Sequence, residues 1–214
     1  MKRLSLFLMV GVFLISGCSV TVYNGLKSDR RQIASLASEV ERLRALKAQD
    51  DQDLNRARRE LEEKLKGQEG VTVSQDERGL VVTFISEVLF DSGKADLRSE
   101  SKPLIHTVSE TIQEESSRNI GIEGHTDNVP IKLSKWKSNW ELSTSRAVSV
   151  LHYLESSGIA PVRMRATGFG EYHPVASNES SNGRQNNRRV EIIFLPKLTK
   201  QEMKVLKEAE NNIQ

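Results

Sequence analysis

Cysteine is almost absent: the 214 residues contain one, Cys18. No intramolecular disulfide can form, and a thiol that directly follows an apolar N-terminal run lies outside any stretch able to fold a core around it. Aromatic residues make up only 5% of the chain, which suits a molecule only partly committed to a globular core. Charge of one sign is not in excess. The chain holds 31 basic and 29 acidic residues, and Lys2 and Arg3 are the only charged residues before Cys18. A chain beginning at Cys18 would therefore be neutral, with no global attraction to nucleic acid, and no nucleic-acid partner is expected. Catalytic signatures are missing too. His106, His125, His152 and His173 fall in no recognised metal spacing, no phosphate-cradling glycine loop precedes a helix, and there is no nucleophile elbow. Neither an enzyme activity, a cofactor nor a metal is expected. No apolar run reaches the roughly 20 residues that a comfortable membrane-spanning helix needs.

What is present begins with an address. Lys2 and Arg3 precede an apolar run from Leu4 to Ile15, interrupted only by Ser5 and Gly11, and then the small residues Ser16 and Gly17. Residues 1–17 thus have the three parts of a secretory signal. Leu14-Ile15-Ser16-Gly17-Cys18 resembles the lipobox of bacterial lipoproteins, which implies cleavage before Cys18 and lipidation of its thiol, a membrane anchor. Two or more acyl chains give stable anchoring, at about 0.8 kcal/mol per buried methylene. Ser19 follows the cysteine, which in enteric bacteria resembles lipoproteins sent to the outer membrane, with the folded part in the periplasm.

Residues 18–25 read as a short flexible lead. From Leu26 to Lys66 charged residues are dense, and neither proline nor glycine occurs before Gly67. Ile33, Leu36, Val40 and Leu43, then Leu54, Ala57 and Leu61, alternate steps of three and four, the seam of a coiled coil. The same register puts Lys47 and Asp50 on the seam, so the stripe is broken in the middle. Residues 26–66 read either as an oligomerising coiled coil or as a single helix or helical hairpin acting as a stalk. Some 40 helical residues would reach about 60 Å.

After Gly67-Gln68-Glu69-Gly70 the pattern turns to β signals. Val71–Val73, Leu80–Ile85, Ile120–Glu123, Val162–Gly168 and Arg189–Leu195 read as strands, and Ser99–Ser116 and Leu142–Ser157 as helices. Strands alternating with helices predict an α/β sandwich, a mixed sheet with helices on one face, over residues 71–198. Residues 199–214 form a charged tail, either helical or disordered.

Three segments go beyond a generic α/β pattern. They are Val88-Leu89-Phe90-Asp91-Ser92-Gly93-Lys94-Ala95-Asp96-Leu97; Ile122-Glu123-Gly124-His125-Thr126-Asp127-Asn128 with Asn139-Trp140-Glu141-Leu142-Ser143-Thr144-Ser145-Arg146-Ala147; and Thr167-Gly168-Phe169-Gly170 with Asn186-Asn187-Arg188-Arg189-Val190-Glu191-Ile192. Together, over about residues 80–196, they resemble the OmpA-like peptidoglycan-binding domain. The middle segment, with Val129-Pro130-Ile131 and a short insertion before Ser138, is similar to the B-type stator proteins of flagellar motors. Those proteins carry a transmembrane helix with an ion-binding aspartate, and this chain has no acidic residue in its apolar segment. Wall binding is therefore carried over, and ion-driven torque is not.

The resemblance implies a peptidoglycan ligand, the stem peptide and often its diaminopimelate, which presents an ammonium and carboxylates at short separation. Asp127 matches the family's ligand-binding aspartate and would meet the ammonium. Arg146 matches the arginine that clamps a carboxylate, a task suited to a planar bidentate guanidinium. Arg188 resembles the pocket-side arginine of the Asn-Arg-Arg motif, and alternation directs Arg189 to the opposite sheet face. Asn128 and Asn139 are candidate hydrogen-bonding supports, while Leu142 lines the pocket floor or packs in the core. His125 is expected to be a structural residue beside the pocket and Asp91 to shape a turn. Trp136 and Trp140 either stack on sugar or pin the inserted loop. The function implied is a wall-binding lipoprotein; the alternative is an accessory protein of a flagellar or other envelope assembly, positioned by wall binding.

Overall fold

The structure, a computed structural model, describes residues 2–132 and 135–211, with the backbone alone for residues 2–29, 200 and 210. The side chain of Cys18, and so its lipidation, lies outside the described residues, as do Leu133 and Ser134 of the inserted loop. Among the described residues no helix is long and apolar enough to cross a membrane. The chain forms two compact units. One joins the part of α1 (Lys2–Lys64) up to Lys47 with residues from Leu198 onward; the other is Ala48–Lys197. α1 runs on through residues 18–25, expected as a flexible lead, because one interior glycine costs a helix only about 1 kcal/mol.

In the first unit the charged tail is helix α6 (Lys200–Asn211). Thr199 and Glu202 start it with a reciprocal capping box: the Glu202 N–H donates to Thr199 Oγ1 at 3.2 Å and the Thr199 N–H to Glu202 Oε2 at 2.8 Å. Leu43, Leu198 and Leu206 are buried together, with Val40 and Met203 against them. The seam residues Ile33 and Leu36 stay exposed.

The second unit is a five-stranded sheet in the order β1-β2-β5-β3-β4. β1 (Val71–Asp76) and β2 (Gly79–Ile85) form a hairpin, β5 (Arg189–Phe194) pairs antiparallel with β2 and with β3 (Ile120–Gly124), and β4 (Met164–Gly168) runs parallel to β3. A parallel pair needs a crossover, supplied by α4 (Asn139–Ser156). Alternation sends Val190, Ile192 and Phe194 into one core with Phe84 and Ile122, Ile105 and Val108 of α3 (Lys102–Glu114), and Val150 and Leu154 of α4. Arg189, Glu191 and Ile193 take the other face. Two short helices, α2 (Ser86–Leu89) and α5 (Ser181–Asn187), complete the unit.

The end of α1 belongs to this unit, which therefore starts well before the expected boundary at Val71. Leu54, Ala57, Leu61 and Leu65 are buried in the sheet's own core. This half of the coiled-coil seam is satisfied within the chain, and each leucine so buried contributes about 1.5–3 kcal/mol. Asp50, which breaks the stripe, is buried against Arg118: Arg118 Nη2 lies 2.6 Å from Asp50 Oδ1, and the Lys197 N–H donates to Asp50 Oδ2 at 3.1 Å.

Candidate functional site

The middle and third motifs are both placed by close backbone approach to α4. Gly124 ends β3 directly beneath α4, and a Cβ there would collide with the Ser143 carbonyl; a Cβ at Gly168 would collide with Thr144. Glycine at the two strand ends lets α4 seat closely enough to bring Arg146 over the loop that follows β3. Ser138 caps α4, its Oγ accepting from the Glu141 N–H at 3.4 Å, and the helix starts at Asn139, three residues before the apolar pattern suggests.

The loop after β3 and the segment after β2 then face each other across an open cleft of about 530 Å³. Asp127, Asn139, Leu142, Arg146 and Arg188, all named from the sequence, line it; Asn128 is exposed and does not. Asp127 is buried, with Oδ1 accepting from the Val129 N–H at 3.1 Å and Oδ2 from Arg188 Nη1 at 2.7 Å. Arg188 also donates through Nε to Glu87 Oε1 at 3.0 Å, so its guanidinium bridges two carboxylates. Asn139 Nδ2 donates to the carbonyls of Asp127 and Val129 and to Glu171 Oε2 at 2.7 Å, which makes it a brace of the loop. Leu142 lines the cleft rather than joining the core.

Arg146 is different. It is 4% exposed, yet it pairs with no carboxylate among the described residues. Its Nε donates to the Lys94 carbonyl at 3.0 Å, its Nη1 to Ser86 Oγ at 3.1 Å, and the group lies 5.1 Å from the centre of the Phe90 ring. Burial pulls its pKa down to about 10. Glu87 and Asp127 attract it through space and Arg188 opposes them, so a desolvated cation whose bonded acceptors are all neutral has room for an anion.

Ser86, Glu87, Phe90 and Arg184 also line the cleft and were not anticipated. Glu87 follows an apolar β run with no signal that the strand ends, and Arg184 sits on α5, a helix without an apolar face. Three acidic side chains (Glu87, Asp91, Asp127) and four basic ones (Lys132, Arg146, Arg184, Arg188) give the walls one excess positive charge. Asp91 shapes the turn expected of it, its carbonyl accepting from the Lys94 N–H at 3.0 Å.

His125 sits behind the cleft, stacked on Phe169 at 5.2 Å, with neither ring nitrogen hydrogen-bonded. Burial, and then the nearby Arg189, push its pKa down to about 3, so the ring is neutral. Glu123, His125 and Glu191 bring one ligand atom each within 4.8 Å of one another, a set that could hold a metal ion. However, Arg78 Nη1 already bridges Glu123 Oε2 (2.7 Å) and Glu191 Oε2 (2.6 Å), and Arg189 Nε donates to Glu191 Oε1 at 2.6 Å. Two guanidiniums match the two carboxylates, and the cluster is an ion network on the second face of the sheet.

The OmpA family model matches residues 89–188. The Motility protein B of Bacillus subtilis (strain 168) is 40% identical over 155 residues, 71% of this chain and 59% of that protein, so the chain spans less than two thirds of this relative's length. A putative MotB like protein from Desulfovibrio vulgaris shares the fold with a TM-score of 0.66 and 32% identity, over 72% of this chain and 99% of that one. The cell wall anchor of the T6SS from Pseudomonas aeruginosa matches with a TM-score of 0.58 and 33% identity, over 63% of this chain and 94% of that one.

Proposed function

Because the chain belongs to the OmpA family, we propose that residues 48–197 grip peptidoglycan, with the zwitterionic part of a stem peptide held between Asp127 and Arg146. The observation that carries this reading is the buried Arg146 guanidinium, which faces an open cleft and has no carboxylate partner among the described residues. A ligand carboxylate supplies the missing counter-ion as a bidentate pair. The ligand's ammonium joins Asp127, whose second oxygen already takes Arg188. Arg188 thereby holds Asp127 and Glu87 apart and fixed before the ligand arrives. The single excess positive charge of the cleft suits a stem peptide, whose carboxylates outnumber its ammonium groups. That one solved relative is a cell wall anchor supports the same reading.

The other end of the molecule is a membrane tether through lipid on Cys18, at the outer membrane, with the globular part in the periplasm. The lipobox-like segment before Cys18 supports this, and no nucleic acid, cofactor or catalytic step enters it. Labelling cells with radioactive palmitate tests the tether: label in the wild type and none in Cys18→Ser is the expected result. Residues 26–47, with Ile33 and Leu36 exposed, remain the candidate region for self-association.

The decisive test of wall binding is co-sedimentation of the full chain, in detergent, with isolated sacculi. The wild type pellets, and Arg146→Met weakens binding by about 2–5 kcal/mol, roughly 30-fold or more. Equal pelleting of the two proteins overturns the site. Free diaminopimelate competes if the stem peptide is the ligand.

A second reading is an accessory role in a motility assembly, favoured by the 40% identity to a Motility protein B. Deleting the gene leaves swimming unchanged if the protein only ties membrane to wall, and impairs it if the protein serves the motor.

A further inference from the structure

Trp136 of the inserted loop and Trp140 of the first turn of α4 have parted roles. Trp136 Nε1 donates to the carbonyl of the cleft-lining Gly93 at 2.8 Å. Trp140, next to the cleft-lining Asn139, turns outward. It stacks on Tyr172 with ring centres 5.2 Å apart and planes 24° from parallel. Trp140 remains 47% exposed and Tyr172 62%, in a chain that buries Phe84, Phe90 and Phe194. Val129, 50% exposed, lines the cleft itself, where its carbonyl accepts from Asn139. Large aromatic side chains contribute most when they cover area, so a stacked and open pair beside a charged cleft is a surface without its partner.

We infer that Trp140 and Tyr172 form a platform for a pyranose ring, a glycan subsite that extends the stem-peptide cleft. The inference rests on the wall-binding reading above. Amphipathic rings such as these suit the C–H face of a sugar, and the polar groups a sugar needs are adjacent. Glu171 uses one oxygen for Asn139 and has acceptor capacity left for hydroxyls.

Dimensions support the placement. Arg146 lies six residues along α4 from Trp140, which corresponds to about 9 Å of helix rise. In peptidoglycan the diamino acid is the third residue of the stem, and three extended residues span about 10 Å. A stem whose third residue is clamped by Asp127 and Arg146 therefore spans the rise to Trp140, and because six residues also turn α4 by about 600° it must leave the cleft past Asn139 to bring its attachment sugar to that level.

The test compares two probes against the full chain in detergent: a disaccharide-tripeptide released from sacculi, and the same tripeptide without sugar. The wild type binds the disaccharide-tripeptide about tenfold more tightly, and tryptophan emission changes with that probe alone. The double variant Trp140→Ala/Tyr172→Ala reduces its affinity to that of the tripeptide and leaves tripeptide binding unchanged. Trp140→Phe, which keeps a ring in place, restores most of the difference and guards against a misfolded first turn. Equal affinity of the wild type for both probes overturns the platform while leaving the cleft intact, as does an equal loss for both probes in a folded double variant. Failure of both probes to bind the wild type overturns the cleft reading, and the platform with it.

Discussion

Arg118 and Arg146 are both buried arginines in the same unit, 1% and 4% exposed. Arg118 comes with its counter-ion: Asp50 lies 2.6 Å away and the Leu195 carbonyl takes a second bond at 2.8 Å. Arg146 has only a carbonyl, a hydroxyl and a ring. Burying a charge is costly, and a stable fold offsets that cost locally where it can. Arg118 does so, and ties the end of α1 to the domain. Arg146 leaves the cost standing at the wall of an open cleft, which is the arrangement expected of a cation whose partner is a ligand. The contrast sets an arginine that holds the fold against the one proposed to serve the site.

The largest effect should come from breaking the satisfied pair. Asp50→Ala leaves the buried Arg118 only Glu115, 3.7 Å from its Nε, and should cost about 3 kcal/mol of stability in urea denaturation of the full chain. The fraction still folded in dilute buffer should bind sacculi as the wild type does, because Asp50 does not line the cleft. A stability loss under 1 kcal/mol would mean that Glu115 carries the Arg118 charge without Asp50.

His125 sharpens the comparison, since a buried imidazole can shed its charge and an arginine cannot. Its folded pKa, about 3, lies below its ordinary 6.5. The unfolded chain therefore binds a proton between these values that the folded chain does not. Stability from this group is complete above pH 6.5 and falls as the pH drops toward 3. At pH 5 the loss is about 2 kcal/mol relative to pH 7. His125→Leu should remove that portion of the acid sensitivity, read as the difference between urea midpoints at pH 7 and pH 5.

The sequence disclosed the cleft better than it disclosed the edges of the domain. Asp127, Arg146 and Arg188 stand in motifs whose glycines have a visible reason, namely the close seating of α4 on Gly124 and Gly168. Leu54, Ala57 and Leu61 show why the compact unit begins at Ala48 rather than at Val71. An apolar stripe on a helix looks the same whether a second chain or the domain's own sheet covers it. The one clue was Asp50 in the stripe, and its partner Arg118 is 68 residues away. α5 offered no pattern at all. Its seven residues carry no apolar side chain, and it is held by Ser180 at its cap and by Asn187, whose side chain bonds the backbone of Val175 and Ala176. Glu87 was hidden for a related reason, since a short helix continuing an apolar strand changes direction without changing composition.

The smallest stability effect, and the most discriminating, is expected at Arg146. Replacing it with methionine removes two hydrogen bonds, to the Lys94 carbonyl and to Ser86 Oγ. Each is worth about 1.5–3 kcal/mol when the donor is charged. The same change removes the desolvation of an unpaired guanidinium, a cost of similar size and opposite sign. The two nearly cancel, so Arg146→Met should move the urea-derived stability by no more than about 1 kcal/mol in either direction while sacculus binding collapses. Arg118→Met, by contrast, should destabilise by several kcal/mol, since it leaves Asp50 buried without its cation. If both substitutions destabilise the fold equally, Arg146 is a structural residue like Arg118 and the cleft needs another explanation for its open side.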